Sequence, residues 1–426
     1  MSILRSFNIG VSGLRAAGSG MGVVGDNIAN SGTTGFKASR AEFQDMLSTS
    51  LSGVDGGDQM GAGVKLGRIK PIMTQGDLTR TDNITDLAMN GGGFFSLKTP
   101  FGVGYSRDGS FHFDKNGMLV NNSGYEVLGF YANEDGEIVN SIRPIQIKPG
   151  TIPAKATREV SISMNLDVRA PNKQFNIEDP ENTSNYSSSM TVYDNIGSPR
   201  LITMYYNRID DGNWEYHATV GAKDAIGGEV GKTYEMASGV LKFNENGLLQ
   251  EEVERKNSFN FSNGARGDQR IKFSWGESLA EGGDGSMAST HFGSPSTTSR
   301  HTQDGFAAAT LASMSFNDEG ILTAIYDNGE AMDVAQIAVA KFENNEGLYK
   351  LGKNLLKESK ESGQAAMGKP GEGGRGEVLS QSLEVSNVDL ANEFVNLMTG
   401  QRNFAANAKT LTTADQMLQE VLNIKR

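Results

Sequence analysis

MSILRSFNIGVSGLRAAGSGMGVVGDNIANSGTTGFK, residues 1–37, carries two signals that oppose each other. Ile3, Phe7, Gly10, Leu14, Ala17, Met21, Val24 and Ile28 step by four and three, the spacing of a coiled-coil seam. Yet Gly fills six of the sixteen positions from Gly10 to Gly25. An interior Gly costs roughly 0.8–1.0 kcal/mol relative to Ala, so six of them burden a lone helix by about 5 kcal/mol. The same residues, with Ser12, Ala16 and Ser19, strip the helix of bulk and let neighbouring backbones approach, as at Gly18-x-x-x-Gly22. The expectation is a helix that is unstable alone and is completed by other copies of the chain.

The other end mirrors this one. Leu390, Phe394, Leu397, Gln401, Phe404, Ala408, Leu411, Asp415, Leu418 and Leu422 again step by three and four. With Ser386 and Asp389 spaced as a capping box and Lys425 and Arg426 suiting the negative end of the dipole, the pattern predicts a helix over about 387–424. Val388, Val395, Met398, Ala405 and Val421 are apolar but lie off the seam, more surface than one partner helix covers.

Between the ends the period falls to two. Phe113-DKNG-Met118, Phe243-NENG-Leu248 and Phe316-NDEG-Ile321 repeat one pattern, an aromatic, Asp or Asn, two polar residues, Gly, then an apolar residue. It predicts a hairpin written three times, with Gly in the left-handed position. Asp211-Gly212 and Asn328-Gly329 predict two more. Residues 48–63, 281–305 and 362–376 are rich in small polar residues and Gly and read as loops or linkers.

Composition narrows the function classes. A net charge of -12 over 426 residues, without a basic face, argues against nucleic-acid binding. No apolar run reaches the ~20 residues of a membrane span, and no secretory signal is visible, so by these signals alone the chain reads as cytosolic. With no cysteine there are no disulfides, thiolate metal sites or cysteine nucleophiles. The nearest phosphate-loop patterns each lack one required residue: Ile226 replaces the first Gly before Gly231-Lys232-Thr233, and Asn354 and Pro370 follow Gly352-Lys353 and Gly368-Lys369. His112, His217, His291 and His301 have no ligand spacing, and Tyr131 stands where a calcium loop would start with Asp. Asp210, Asp211 and Glu215 flank one hairpin and could supply paired carboxylates for glycoside hydrolysis, but carboxylates at a hairpin tip read as solvated turn residues. No catalytic, cofactor-binding or metal residue is assigned.

The head motif Asn27-IA-Asn30-SGTT-Gly35-Phe36-Lys37 resembles the signature of the rod and hook axial proteins of the bacterial flagellum. So do the tail motifs SNVDL at 386–390 and Gln401-Arg402-NFAA-Asn407-AKTLTTADQML, and the stretch from Gln75 through Tyr105-SRDGSF. The resemblance covers roughly 1–150 and 300–426. It implies an α+β multidomain fold, with N- and C-terminal α-helices paired as a coiled-coil-like stem and stacked mainly-β domains inserted between them. The expected parts are a terminal helical domain (1–30 plus 386–426), a connecting segment (31–70 plus 362–385), a core β domain (71–150 plus 303–361) and an outer β domain (151–302).

The size of the outer domain resembles the hook branch rather than the distal rod, the alternative within the family; a hydrolase or adhesin in the outer domain is the alternative of another class. The resemblance implies a subunit that polymerises with itself into a curved hollow tube, a universal joint passing torque from rod to filament. Implied partners are the distal rod below, the hook-filament junction protein and hook cap at the tip, and the flagellar type III export apparatus, with neither nucleic acid nor membrane insertion. The place is an extracellular appendage, reached without a cleaved signal peptide. The packing seam would be Ile3, Phe7, Leu14, Met21, Val24, Ile28, Leu390, Phe394, Leu397, Phe404, Leu411, Leu418 and Leu422, with Gly18 and Gly22 for close approach. Phe43-x-x-x-Leu47 resembles a short export-gate motif. Ala405 departs from the Gln of many relatives, and the absence of Cys removes the Cys–Lys crosslink of some branches.

Overall fold

A computed structural model describes residues 2–47, 61–133, 137–147, 150–263, 265, 267–276, 278 and 288–424. The chain divides into two compact units. One comprises 1–149, 313–325 and 331–426; the other comprises 150–312 and 326–330.

In the first unit, helix α1 (Ser2–Ala29) and helix α2 (Leu390–Ile424) lie side by side. Strands β1 (Ser39–Leu47) and β2 (Gly61–Pro71) form an antiparallel ribbon that packs along α1. The linker expected over 48–63 therefore gives way to strand by Gly61, and residues 48–60 lie outside the described residues. The body of this unit is an antiparallel sheet whose central strands include Phe94–Thr99, Gly102–Ser106, Glu126–Ala132 and Ala331–Ile337. Phe94, Tyr105 and Phe342 meet edge to face in its core, with centroids 5.9 and 4.8 Å apart. On the way back to α2 the chain adds short antiparallel pairings, Glu377–Ser380 with Leu87–Asn90 and Ser382–Glu384 with Leu78–Arg80.

The second unit holds a five-stranded antiparallel meander: Tyr186–Tyr193, Pro199–Asp210, Asn213–Gly221, Thr233–Phe243 and Leu249–Asn257. A three-stranded sheet of Lys272–Ser274, Glu159–Asn165 and Thr297–Gln303 shares one aromatic core with it. Trp214, Trp275, Tyr206 and Tyr216 are all fully buried there. The other two segments read as linkers also contain strand, at Thr297–Gln303 and, in the first unit, Ala366–Gly368.

The three repeated turns adopt one geometry. Asp114, Asn244 and Asn317 each accept the amides two and four residues on through Oδ1, at 2.8–3.0 Å. Gly117, Gly247 and Gly320 sit at φ +74, +76 and +69°. Asn121 and Asp194 make the same turn, closed by Gly124 and Gly197. The sequence pattern misses the Asp194 copy because Ile196 breaks the polar pair; Val120 in place of an aromatic hides the Asn121 copy.

Candidate assembly site

The two helices of the stem pack closely. α1 and α2 run antiparallel: Gly10 lies against Thr410 and Leu411, Gly13 against Asn407, Gly400 against Met21, and Asn27 against Glu393. A Cβ on Gly13 would fall 2.6 Å from Asn407 Oδ1, and one on Gly400 would fall 2.9 Å from Met21 Cγ. Small residues at these positions bring the backbones together.

The α2 row that faces α1 and β1–β2 therefore differs from the most apolar one. Positions 393, 397, 400, 404, 407, 411, 414 and 418 keep the four-three spacing, but Glu393, Gly400, Asn407 and Ala414 alternate with Leu397, Phe404, Leu411 and Leu418. Of the sequence-predicted seam, Phe7, Leu14, Met21, Val24, Ile28, Leu397, Leu411 and Leu418 are half-buried. Leu390, Phe394 and Phe404 remain 44, 50 and 41% exposed. The side chains of Ile3, Leu47 and Leu422 lie outside the described residues. Among the described residues nothing lies within 4 Å of where a Cβ would stand on Gly18 or Gly22. Gln401 and Arg402 are exposed, while Asn407 is half-buried and donates to Asn403 O at 3.0 Å.

The α2 cap also differs from expectation. Asp389 Oδ1 accepts from the amides of Ala391 and Asn392, making Asp389 the N-cap and Leu390 the start of the helix. Ser386 instead accepts from Val388. Lys425 and Arg426 lie outside the described residues.

Where stem meets body, the head motif forms a polar neck. Asn27 donates to Ser39 O at 2.8 Å and Glu393 Oε1 at 3.0 Å, and accepts from Ser39 N at 2.9 Å. Asn387 accepts from Ala38 N and donates to Ile72 O and Thr74 O, tying the entry of α2 to the segments that enter β1 and leave β2. Asn30 donates to Asp26 O at 2.9 Å and accepts from Thr33 Oγ1 at 3.1 Å, closing the end of α1. Gly35, at φ +67°, lays its backbone on residues 107–108, where a Cβ would meet Asp108 N at 2.4 Å. Lys350 Nζ sits 5.1 Å from the centre of the Phe36 ring.

Beneath the motif, Glu384 is fully buried between two cations, Lys37 at 2.5 Å and Arg107 at 3.2 Å. It also accepts from Gly76 N at 2.8 Å. Lys37 donates in addition to Thr74 O, and Arg107 to Gly91 O, so each cation has carbonyl partners besides the carboxylate. Burial pushes both Lys37 and Arg107 below their ordinary values, against the opposing pull of Glu384. Lys37 and Arg107 stand inside the sequence motifs, but the cluster itself is invisible in the sequence, since its members are 70 and 277 residues apart in the chain.

The export-like pair lies on β1, with Phe43 Cζ 3.3 Å from where a Gly20 Cβ would stand. In the second unit Asp211 is fully exposed and paired with Arg208, and Glu215 is tied to Arg255. They are turn and sheet-surface carboxylates with charge partners.

Four family models match successive parts of the chain. They are described as Flagella basal body rod protein (residues 7–37), Flagellar hook protein FlgE/F/G D1 domain (88–170), Flagellar basal body protein FlaE D2 domain (163–306) and Flagellar basal body rod FlgEFG protein C-terminal (379–424). The flagellar hook protein FlgE of Salmonella typhimurium is 33% identical over 428 residues, covering 99% of this chain and 100% of that one. FlgE of Borreliella burgdorferi is 34% identical over 460 residues, with coverage of 99% and 100%. The crystal structure of Helicobacter pylori flagellar hook protein FlgE2 shares the fold, with a TM-score of 0.52 at 15% identity, covering 72% of this chain and 100% of that one. Similar from end to end to hook proteins of distant bacteria, this chain belongs to the flagellar hook protein FlgE family.

Proposed function

We propose that the chain is the structural subunit of a bacterial flagellar hook, and that its copies stack through their terminal helices into a curved hollow tube. The observation that carries this is the unfinished packing of the stem. On α2, Phe394, Val395 and Met398 are 50, 55 and 51% exposed, and the open face of Gly18 and Gly22 on α1 has no neighbour among the described residues. Neighbouring copies would cover both, with Ile3, Phe7, Leu14 and their seam partners on α2 as packing residues. An apolar helix face of this extent on a soluble chain marks an interaction surface.

The tube acts as a universal joint between distal rod and filament, with the four parts expected from the sequence as its radial layers. It leaves the cell through the flagellar export apparatus, with Phe43 and Leu47 read before the chain folds. No helix among the described residues is long and apolar enough to cross a membrane. The relatives are structural hook proteins, and an enzymatic outer domain is not favoured.

The test is a truncation lacking residues 1–28, compared with the full chain by electron microscopy under polymerising conditions. The full chain should give curved hollow tubes and the truncation a folded, soluble protein. Tubes from the truncation would overturn the reading; straight tubes from the full chain would favour a rod.

A further inference from the structure

Two features of the stem are complementary and cannot meet within one chain. The first is a groove of about 880 Å3 between α1, the β1–β2 ribbon and α2, lined by Ala17, Gly20, Val24, Phe43, Val64 and Gly400. Its wall holds Glu393, whose Oε1 accepts from Asn27 while Oε2 is buried with no hydrogen-bond partner among the described residues. A buried carboxylate oxygen left so is costly unless a donor arrives. The other charged side chain lining the groove, Arg40, is engaged with Glu42 at 3.4 Å.

The second feature is the outward stripe of α2. Phe394, Met398 and Arg402 follow at four-residue steps, so they share one face, with Val395 beside them. Arg402 is exposed and makes no ion pair or hydrogen bond among the described residues. Gly400 and Glu393 belong to the groove face of the same helix, so a chain cannot fill its own groove with its own stripe.

We infer that the groove of one copy receives the outward α2 stripe of the next, with Phe394 and Met398 in its apolar, small-residue bed and the Arg402 guanidinium beside the Glu393 carboxylate that lines it. This rests on the assembly reading above and names the two faces that carry it. Because the faces are different patches of the molecule, the contact is heterologous: each added copy presents a fresh stripe and a fresh groove, and the result is an open polymer rather than a closed dimer. An Arg is the cation suited to a desolvated carboxylate at such a contact.

The cysteine-free sequence permits a direct test. In the full chain carrying Ala17→Cys and Met398→Cys, oxidation of assembled material should yield a ladder of covalent oligomers extending past the dimer. Each single variant should give no ladder. Tubes that form normally but show no ladder, or stop at dimers, overturn this contact while leaving the assembly reading intact; failure of the wild-type chain to form tubes would overturn that reading itself. In parallel, Arg402→Glu should raise the critical concentration for assembly at least about tenfold, and Glu393→Arg in the same chain should restore it in part. Unchanged assembly of Arg402→Glu, whose side chain is exposed and outside the fold's contacts, counts against the proposal.

Discussion

Asp114 and Asn244 occupy the same turn position, yet one is ionisable and the other is not. The amide of Met118, then that of Asn116, holds the Asp114 carboxyl below its ordinary value of 3.8. A depressed folded value means a contribution fully present above pH 3.8 and lost as pH falls through the folded pKa. Asp114→Asn should keep the turn, and its stability relative to wild type should rise only below about pH 4 in acid denaturation curves. A constant difference at all pH would contradict this account. Glu384 poses the harsher case. Glu384→Ala leaves Lys37 and Arg107 buried without their anion, and should cost about 3–5 kcal/mol in denaturant unfolding of the first unit. At this scale the three repeated turns were readable from the chain because all five members of a turn are local, whereas the Lys37, Arg107 and Glu384 cluster is assembled by pairing of Ser382–Glu384 with Leu78–Arg80, which no local pattern announces.

Among elements, the helices were the clearest in the sequence, and the row by which they meet was not. Hydrophobic spacing selects Phe394, Gln401, Ala408 and Asp415, while backbone proximity selects Glu393, Gly400, Asn407 and Ala414 one position earlier. A transfer scale sees the gain from burying side chains and not the gain from letting two backbones approach. The glycines of α1 accordingly divide in two. Gly18→Ala and Gly22→Ala meet open space and should each stabilise α1 in the dilute chain by about 1 kcal/mol, visible as added helicity in circular dichroism. Leu at both positions should keep that helicity and abolish polymerisation through overpacking against a neighbouring copy. Gly400→Leu, by contrast, should already separate the helices of a single chain, since even a Cβ there crowds Met21.

Across the whole molecule, the spectroscopic labels are segregated. Both tryptophans of the sequence, Trp214 and Trp275, are buried in the second unit, while the two long helices belong to the first. Denaturant titration of the dilute chain should therefore give two curves: ellipticity at the helical band falling first, and tryptophan fluorescence later. Coincident curves would mean that the stem is as firmly held as the aromatic core.

The β1–β2 ribbon bears on how such a stem resists load. Its hydrogen-bonded rungs run beside the glycine-rich part of α1, with Ser12 Oγ accepting from Val64 N at 3.2 Å and Phe43 resting on Gly20. A rod weakened by glycine and strapped to a two-ply slat bends as a leaf spring does: the slat sets the stiffness and the rod follows it. Shortening that slat from its Leu47–Gly61 end should soften the stem without altering how its helices grip each other.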